Sequence, residues 1–169
     1  MSQNDDRKVR FNCIKSGVYT FEAQLDDTFF ESIENDEIRG GKVHFDITIE
    51  RNERVTMLTF AFDGEVRTMC DRCLGDMTVG VSGTEQLNVR FSDTETSDDE
   101  QVVVLPVETS ELDLTPWMYE YVAVRMPIQH THPDGECDPE MVRYIVEEEE
   151  QGHDEEYTDP RWDALKELK

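Results

Sequence analysis

Residues 42–69 read KVHFDITIERNERVTMLTFAFDGEVRTM, and this stretch decides the fold. In its first part, apolar side chains alternate with polar ones, which is the pattern of a strand with one buried face. A polar turn follows, and Val55 to Phe62 is then apolar on both faces, as expected of a central strand. Asp63-Gly64 is a strong hairpin signal, so we predict that the chain reverses there.

The alternating pattern continues on both sides of the cysteine-containing segment that follows. Met77 to Phe91 keeps one apolar face, but Glu85 breaks the phase next to Gly83, where we predict a bulge or bend. Val102 to Val107 forms a further short strand. The strands together predict a long antiparallel meander.

Helical patterns precede and follow these strands. Asp27 to Glu34 has helical spacing, with Asp27 or Thr28 as its N-cap. A second helix begins with Thr115 as N-cap and Pro116 in its first turn, and ends before Pro127. The two remaining predicted helices start at Asp138-Pro139, ending in the run Glu147 to Glu150, and at Asp159-Pro160.

The predicted fold class is α+β, an antiparallel β-meander sheet with C-terminal helices and loops that zinc can pin. We expect one domain over residues 1–150, followed by an acidic linker and a short terminal helix over residues 151–169. Within the domain, the sheet is expected over residues 10–107 and the helical part over residues 114–150.

Charge is distributed unevenly along the 169 residues, whose formal net charge is −24. Residues 93–160 carry 21 acidic and 2 basic side chains, a net charge of −19. Such a field repels bare phosphate and attracts basic surfaces, although solubility alone also favours it. Neither a signal-peptide segment nor an apolar run of membrane-spanning length is evident, so we expect a cytoplasmic protein without a membrane partner.

The spacing of the cysteines suggests a metal site. Cys70 and Cys73 form a Cys-x-x-Cys pair, which in a tight turn can hold zinc from one side. His132 and Cys137, with four residues between them, can supply the other two ligands, and His130 is the alternative to His132. The four would make a closed structural site. Two other interpretations stay open, namely metal-free reduced thiols and a redox pair at Cys70 and Cys73.

Other residues are candidates for binding or packing, and none for catalysis. The chain lacks a P-loop, a dinucleotide-binding glycine fingerprint and a nucleophile elbow, so neither a catalytic residue nor a small-molecule substrate is predicted. Cys13 is expected to be a small buried hydrophobe. The candidate partner-binding residues are Glu147, Glu148, Glu149, Glu150, Arg72 and Trp162. An alternative RNA-contacting set on the sheet consists of Arg51, Arg54, Arg67, Arg72 and Arg90.

Several motifs together resemble the YceD-like family, the large ribosomal RNA subunit accumulation proteins. MCDRCLGDM (69–77) is similar to its Cys-x-Arg-Cys-Leu signature. ELDLTPWMYEYVAVRMPI (111–128) resembles its acidic-Asp-Leu stretch and following helix, with Glu120 at the position of the helix Glu. HPDGEC (132–137) and DPRWDALKEL (159–168) are similar to the second cysteine region and the terminal tail. The resemblance spans about residues 60–169 of this sequence.

The resemblance implies a bacterial or plastid protein that supports accumulation of large-subunit ribosomal RNA and is not an enzyme. The implied partner is a large ribosomal subunit precursor, reached through a basic ribosomal protein or through ribosomal RNA. Many family members carry several cysteines in the second region, where this chain has Cys137 alone, preceded by His130 and His132. The second hypothesis, from another class, is a thiol redox or metal-handling protein that uses Cys70 and Cys73.

Overall fold

A five-stranded sheet dominates the chain. The structure, a computed structural model, describes residues 6–33, 35, 37–52, 55–94 and 102–150. The strands are β1 (Lys8–Arg10), β2 (Gly17–Leu25), β3 (Gly40–Arg51), β4 (Thr56–Met69), β5 (Asp76–Phe91), β6 (Val102–Leu105) and β7 (Glu111–Asp113). The helices are α1 (Asp27–Ser32), α2 (Thr115–Arg125) and α3 (Pro139–Glu150), with a 3₁₀ turn at Phe11–Cys13. The predicted terminal helix within 151–169 lies outside the described residues, as do 95–101 of the acidic loop.

Two compact units are distinguished by their internal contacts. The sheet unit comprises the described parts of residues 1–69 and 76–130. The cysteine unit comprises residues 70–75 and the described part of residues 131–169.

The sheet confirms the predicted α+β meander, but the last predicted strand, Val102 to Val107, ends at Leu105 and is parallel to its neighbour. Its strands follow the order β2-β3-β4-β5-β6, and every neighbouring pair from β2 to β5 is antiparallel. β6 pairs with β5 in parallel and forms one edge of the sheet. A separate two-stranded sheet is formed by β1 and β7.

The inner face of the sheet is the core, and the alternation in the sequence determines which residues enter it. Phe45 and Ile47 of β3 are buried beside Leu58 and Phe60 of β4. Met118 is among the residues of α2 that are buried in the same cluster. Polar residues at the intervening positions face outward, as the period of two requires.

The hairpin predicted at Asp63-Gly64 is wrong. β4 runs straight through this dipeptide for 14 residues and reverses only after Met69. Gly64 pairs with Val43 on one side and Val81 on the other. A Cβ atom at Gly64 would lie 2.6 Å from the Val43 Cα and closer still to the Lys42 carbonyl oxygen. The glycine therefore permits close strand approach within the sheet and does not form a turn.

The bulge predicted beside Gly83 is also absent from the pairing. β5 keeps one constant register with β4 from Asp76 to Val89. Glu85 remains in phase with the apolar residues because Arg125 of α2 pairs with its carboxylate, with Nε donating at 3.0 Å. A charged side chain can thus occupy the inner face where a helix supplies the countercharge.

Helix starts and one cysteine also differ from expectation. Asp26, one residue earlier than predicted, caps α1 by accepting a hydrogen bond from the Phe29 N–H at 3.0 Å. Leu114 occupies the N-cap position of α2 and makes no side-chain cap bond. Cys13 is exposed, because Phe11 fills the core position of the 3₁₀ turn.

We predict that Gly64→Ala destabilises the sheet unit by about 2 kcal/mol or more, because the added methyl group overlaps backbone atoms that cannot move aside. Urea denaturation followed by circular dichroism measures the change. Gly80→Ala in β5 is the matched control, since no atom lies within 4 Å of its Cβ position. The control should stay within about 0.5 kcal/mol of wild type, and equal losses in both variants would contradict the packing argument.

Candidate metal centre

The segment between β4 and β5 forms a tight, internally bonded loop. The Cys70 N–H donates to the Gly75 carbonyl at 2.8 Å, and the Leu74 N–H donates to the Cys70 carbonyl at 2.9 Å. Leu74 has a φ of 57°, in the left-handed region that tight turns use and non-glycine residues rarely adopt. This geometry brings Cys70 and Cys73 to the same side of the loop.

The second pair of candidate ligands lies in a turn before α3. The Glu136 N–H donates to the Pro133 carbonyl at 3.0 Å, and Gly135 takes a φ of 87°, which suits glycine. The chain therefore reverses between His132 and Cys137. Sequence spacing alone does not specify this reversal, which brings the two side chains close to each other.

Four side chains of the cysteine unit converge on one point. One ligand atom from each of Cys70, Cys73, His132 and Cys137 lies within 4.8 Å of the other three. The sulfurs of Cys70 and Cys137 are 3.8 Å apart, and His132 Nδ1 is 3.3 Å from the Cys73 sulfur and 3.9 Å from the Cys137 sulfur.

These separations match the edges of a zinc tetrahedron. Zn–S bonds of about 2.3 Å and a Zn–N bond of about 2.0 Å place two sulfurs about 3.8 Å apart and sulfur and nitrogen about 3.5 Å apart. The donor set of three thiols and one imidazole is typical of structural zinc. Of the two histidines offered by the sequence, the structure brings in His132, whereas His130 is buried in the sheet unit and is not part of the group.

Local hydrogen bonds favour thiolates at the Cys-x-x-Cys pair. Burial raises the pKa of the Cys70 thiol, but backbone hydrogen bonds outweigh this effect and lower the pKa to about 6. Backbone hydrogen bonds, led by the one from Asp138, lower the pKa of Cys73 as well. Burial and the neighbouring thiols raise the pKa of Cys137. The backbone donors to Cys70 are Cys73, His132 and Arg72.

The donor set of this centre is of the closed type. The three cysteines of the group are buried, and its four protein donors would complete a tetrahedral coordination shell. Catalytic zinc sites instead keep one position open for water or substrate. Arg72, predicted to bind a partner, lies in this unit with Nη1 3.8 Å from Asp134 Oδ1, so the two loops also share an exposed ion pair. No sequence signal pointed to Asp134.

A second, exposed cluster lies on the sheet and was not predicted. Glu22 of β2 and Asp46 of β3 are directly opposite each other, and His44 Nε2 lies 3.6 Å from Asp46 Oδ1. Alternation on adjacent strands could have indicated this cluster if the register had been known. Its side chains face solvent and include no thiolate, so its donor chemistry differs from that of the cysteine centre.

The remaining predicted binding residues lie in different segments of the chain. Glu147 to Glu150 form the last turn of α3, whereas Trp162 and Arg54 lie outside the described residues. Arg51 turns inward, donating from Nη1 to the carbonyls of Phe11 and Ile14 at 2.6 and 2.8 Å.

Two further arginines of the alternative RNA-contacting set lie on different strands. Arg67 Nη2 is 2.9 Å from Asp27 Oδ1, so this side chain has an acidic partner within the fold. Arg90 is exposed on β5. Of the three arginines of this set that the structure describes in the sheet unit, Arg51 and Arg67 are therefore bonded within the fold, and Arg90 is exposed.

Comparison with known proteins identifies one family. The family profile described as large ribosomal RNA subunit accumulation protein YceD matches residues 58–169, a range that includes both cysteine loops. Searches of curated proteins and of solved structures found no match. Among the described helices, none is both long and apolar enough to cross a membrane.

In reduced, metal-free protein we expect the free energy of unfolding to rise as the pH increases from about 6 towards 9. In this window the unfolded chain holds protons on Cys70 and Cys73 that the folded chain has released, since their folded pKa values lie below the ordinary 9.0. The contribution is lost as the pH falls through about 6. The raised pKa of Cys137 has the opposite effect on the free energy of unfolding, which it lowers only as the pH rises above 9.0.

Urea titrations at several pH values, with chelator and reductant present, measure this slope. Cys70→Ser should flatten it, whereas Cys13→Ser, at an exposed cysteine outside the cluster, should leave it unchanged. A slope that persists in Cys70→Ser would show that other groups cause the pH dependence.

Proposed function

Because the chain belongs to the YceD family of large ribosomal RNA subunit accumulation proteins, we propose that it is a non-enzymatic accessory factor in large ribosomal subunit biogenesis. The observation that carries the proposal is the family match over residues 58–169. In this role the protein acts in the cytoplasm by binding a ribosomal protein or a pre-ribosomal particle. The closed donor set of the cysteine unit supports a structural role for that unit over a catalytic one.

The cysteine unit would hold one structural zinc ion through Cys70, Cys73, His132 and Cys137. Zinc supplies folding free energy there, because the unfolded chain does not preform the site. The unit has few buried apolar residues of its own among those described, so a metal would replace the missing core. Two lowered thiol pKa values favour the deprotonated ligands that zinc requires.

A basic protein surface is the favoured partner, in preference to naked RNA. Residues 93–160 have a net charge of −19, which repels phosphate and speeds encounter with a basic surface. The sheet arginines offer little compensation, since Arg51 and Arg67 are bonded within the fold. At physiological salt the screening length is about 8 Å, so this charge acts mainly at close approach.

One geometric observation supports the alternative thiol redox function, but with Cys137 as the partner of Cys70 in place of the predicted Cys73. The Cys70 and Cys137 sulfurs are 3.8 Å apart, close enough for a disulfide after a small movement. A redox protein would contain no zinc and would cycle between dithiol and disulfide in a glutathione buffer. Metal retained under the same conditions would argue against redox cycling, whereas cosedimentation with large-subunit precursor particles tests the assembly role.

We predict about one zinc per chain in protein purified without chelator, as measured by elemental analysis. Cys70→Ser should lose the metal and lower the melting temperature, because a buried ligand is removed. Cys13→Ser is the matched control, with an exposed cysteine that takes no part in the cluster, and should retain both. Wild-type protein without metal but with freely reactive thiols would refute the zinc proposal.

We predict that the protein cosediments with large-subunit precursor particles at low salt and binds isolated basic ribosomal proteins more tightly than naked large-subunit RNA. Reversing Glu147 to Glu150 to lysine should weaken binding to the basic proteins by about tenfold and strengthen binding to RNA. Titrations at matched salt measure both affinities.

A control variant tests whether the position of the reversed charges matters or only the change in net charge. It reverses four exposed acidic residues of the sheet unit, namely Glu31, Glu37, Asp63 and Glu65. The control should bind the basic proteins more tightly than the α3 variant does. Tight binding of wild type to naked RNA, with no binding to basic proteins, would refute this mode of action but not a role in assembly.

A further inference from the structure

Strand β2 forms an open edge of the five-stranded sheet. Among the described residues, β2 pairs with β3 on one side, and no strand pairs with its other side. Half of the backbone N–H and C=O groups of an edge strand point outward and can bond another strand. The opposite edge is β6, which has only four residues.

Some protective features of natural sheet edges, namely lysine, proline and a bulge, are missing from β2, which has one charged residue, Glu22. Its sequence is GVYTFEAQL over Gly17–Leu25, nine residues without lysine or proline, and its pairing with β3 contains no bulge. Val18 is 67% exposed and Tyr19 is 37% exposed. A long, regular and partly apolar edge of this kind is a template for strand addition unless a partner covers it.

Two cavities border the same strand. The first has a volume of about 360 Å³ and is mainly apolar, lined in part by Ile14, Tyr19 and Phe21. The second, of about 990 Å³, reaches Gln24 and Asp26. Asp6 and Lys8 line both, so the cavities adjoin. Side chains on the inner face of an added strand would enter this space.

The outer face beside the edge is acidic. Glu22 is the one charged residue of β2, and its neighbour across the β2–β3 pair is Asp46. Like charges directly opposite each other destabilise a sheet, and a basic residue on the next strand would relieve the repulsion. His44, 3.6 Å from Asp46, gives only partial compensation when it is protonated.

Two basic side chains at the cavity rim, Lys8 and Arg10, already have an acidic partner. Glu111 lies 3.7 Å from Lys8 Nζ and 3.1 Å from Arg10 Nε. These ion pairs reduce the positive potential that the rim would otherwise present to an incoming segment.

We infer that β2 accepts an extended segment of a partner protein as a sixth strand, in which apolar residues facing the cavity alternate with basic residues facing Glu22. This inference rests on the proposed function and names how a basic partner would be bound. A second copy of the chain is a poor occupant, because each carries a net charge of −24 and would repel the other.

Hydrogen exchange of the full-length protein tests the inference with two probes. One probe is purified large-subunit precursor particles, and the other is a synthetic peptide of sequence KVTVKVTVK with blocked ends. With either probe, exchange of the outward-pointing amides of β2 should slow by about tenfold or more, because they become hydrogen-bonded. Val18→Lys and Glu22→Lys should each weaken binding of the peptide by about tenfold.

Glu65→Lys is the control, an exposed reversal on β4 away from the edge, and should bind the peptide like wild type. Because Val18 and Glu22 are exposed, both variants should have the melting temperature of wild type. If Val18→Lys melts at a lower temperature, peptide binding by Glu22→Lys alone tests the inference. The inference would be overturned, and the proposed function left intact, if the particles bound the protein without slowing exchange of the β2 amides and bound Val18→Lys as tightly as wild type. Peptide protection of β2 without particle binding would instead support the open edge and overturn the proposed function. Protection that grows with the protein's own concentration would assign the edge to a second copy and overturn the inference.

Discussion

Unbroken pairing of β4 with strands on both sides is the constraint on which the rest of the structure depends. Its 14 residues keep one register with β3 and one with β5. A slip of one residue would move every buried side chain to the outer face. Gly64 makes the continuity possible, because any larger residue would push the β3 backbone away at the middle of the sheet. The position of the reversal after Met69 follows from this continuity.

The cysteine centre shows how backbone geometry prepares a set of side chains for one chemistry. Hydrogen bonds within the Cys70–Gly75 loop fix its shape, and further backbone groups point at the sulfurs. They favour thiolates although burial opposes charge. A metal ion would balance those charges, whereas metal-free thiolates at this spacing would repel one another. Zinc is the ion that we propose for this centre, because thiolates and imidazole are its usual donors.

The acidic net charge is a property of the protein that does not depend on the fold. Several basic side chains of the described residues pair with acidic ones inside the molecule, such as Arg125 with Glu85 and Arg67 with Asp27. The excess of acidic over basic side chains makes the electrostatic potential around the protein negative. The family role in large-subunit RNA accumulation is compatible with the basic partner that we propose, and β2 is the edge strand at which we propose that it binds.

The sequence by itself determined the elements whose cause is local. Alternation from residue 42 onward is enough to predict strands, since a half-buried strand requires a period of two. The Cys-x-x-Cys spacing at 70 and 73 likewise predicts a shared ligand pair, because two residues between cysteines suit a tight turn.

Only the tertiary structure determined the placement of residues whose contacts lie far away in the sequence. Gly64 lies within a strand because β3 and β5 close around it, and Glu85 keeps its phase because α2 brings Arg125. His132 joins the cysteines and His130 does not. Two histidines only two residues apart are equivalent candidates in the sequence, so only the folded chain distinguishes them.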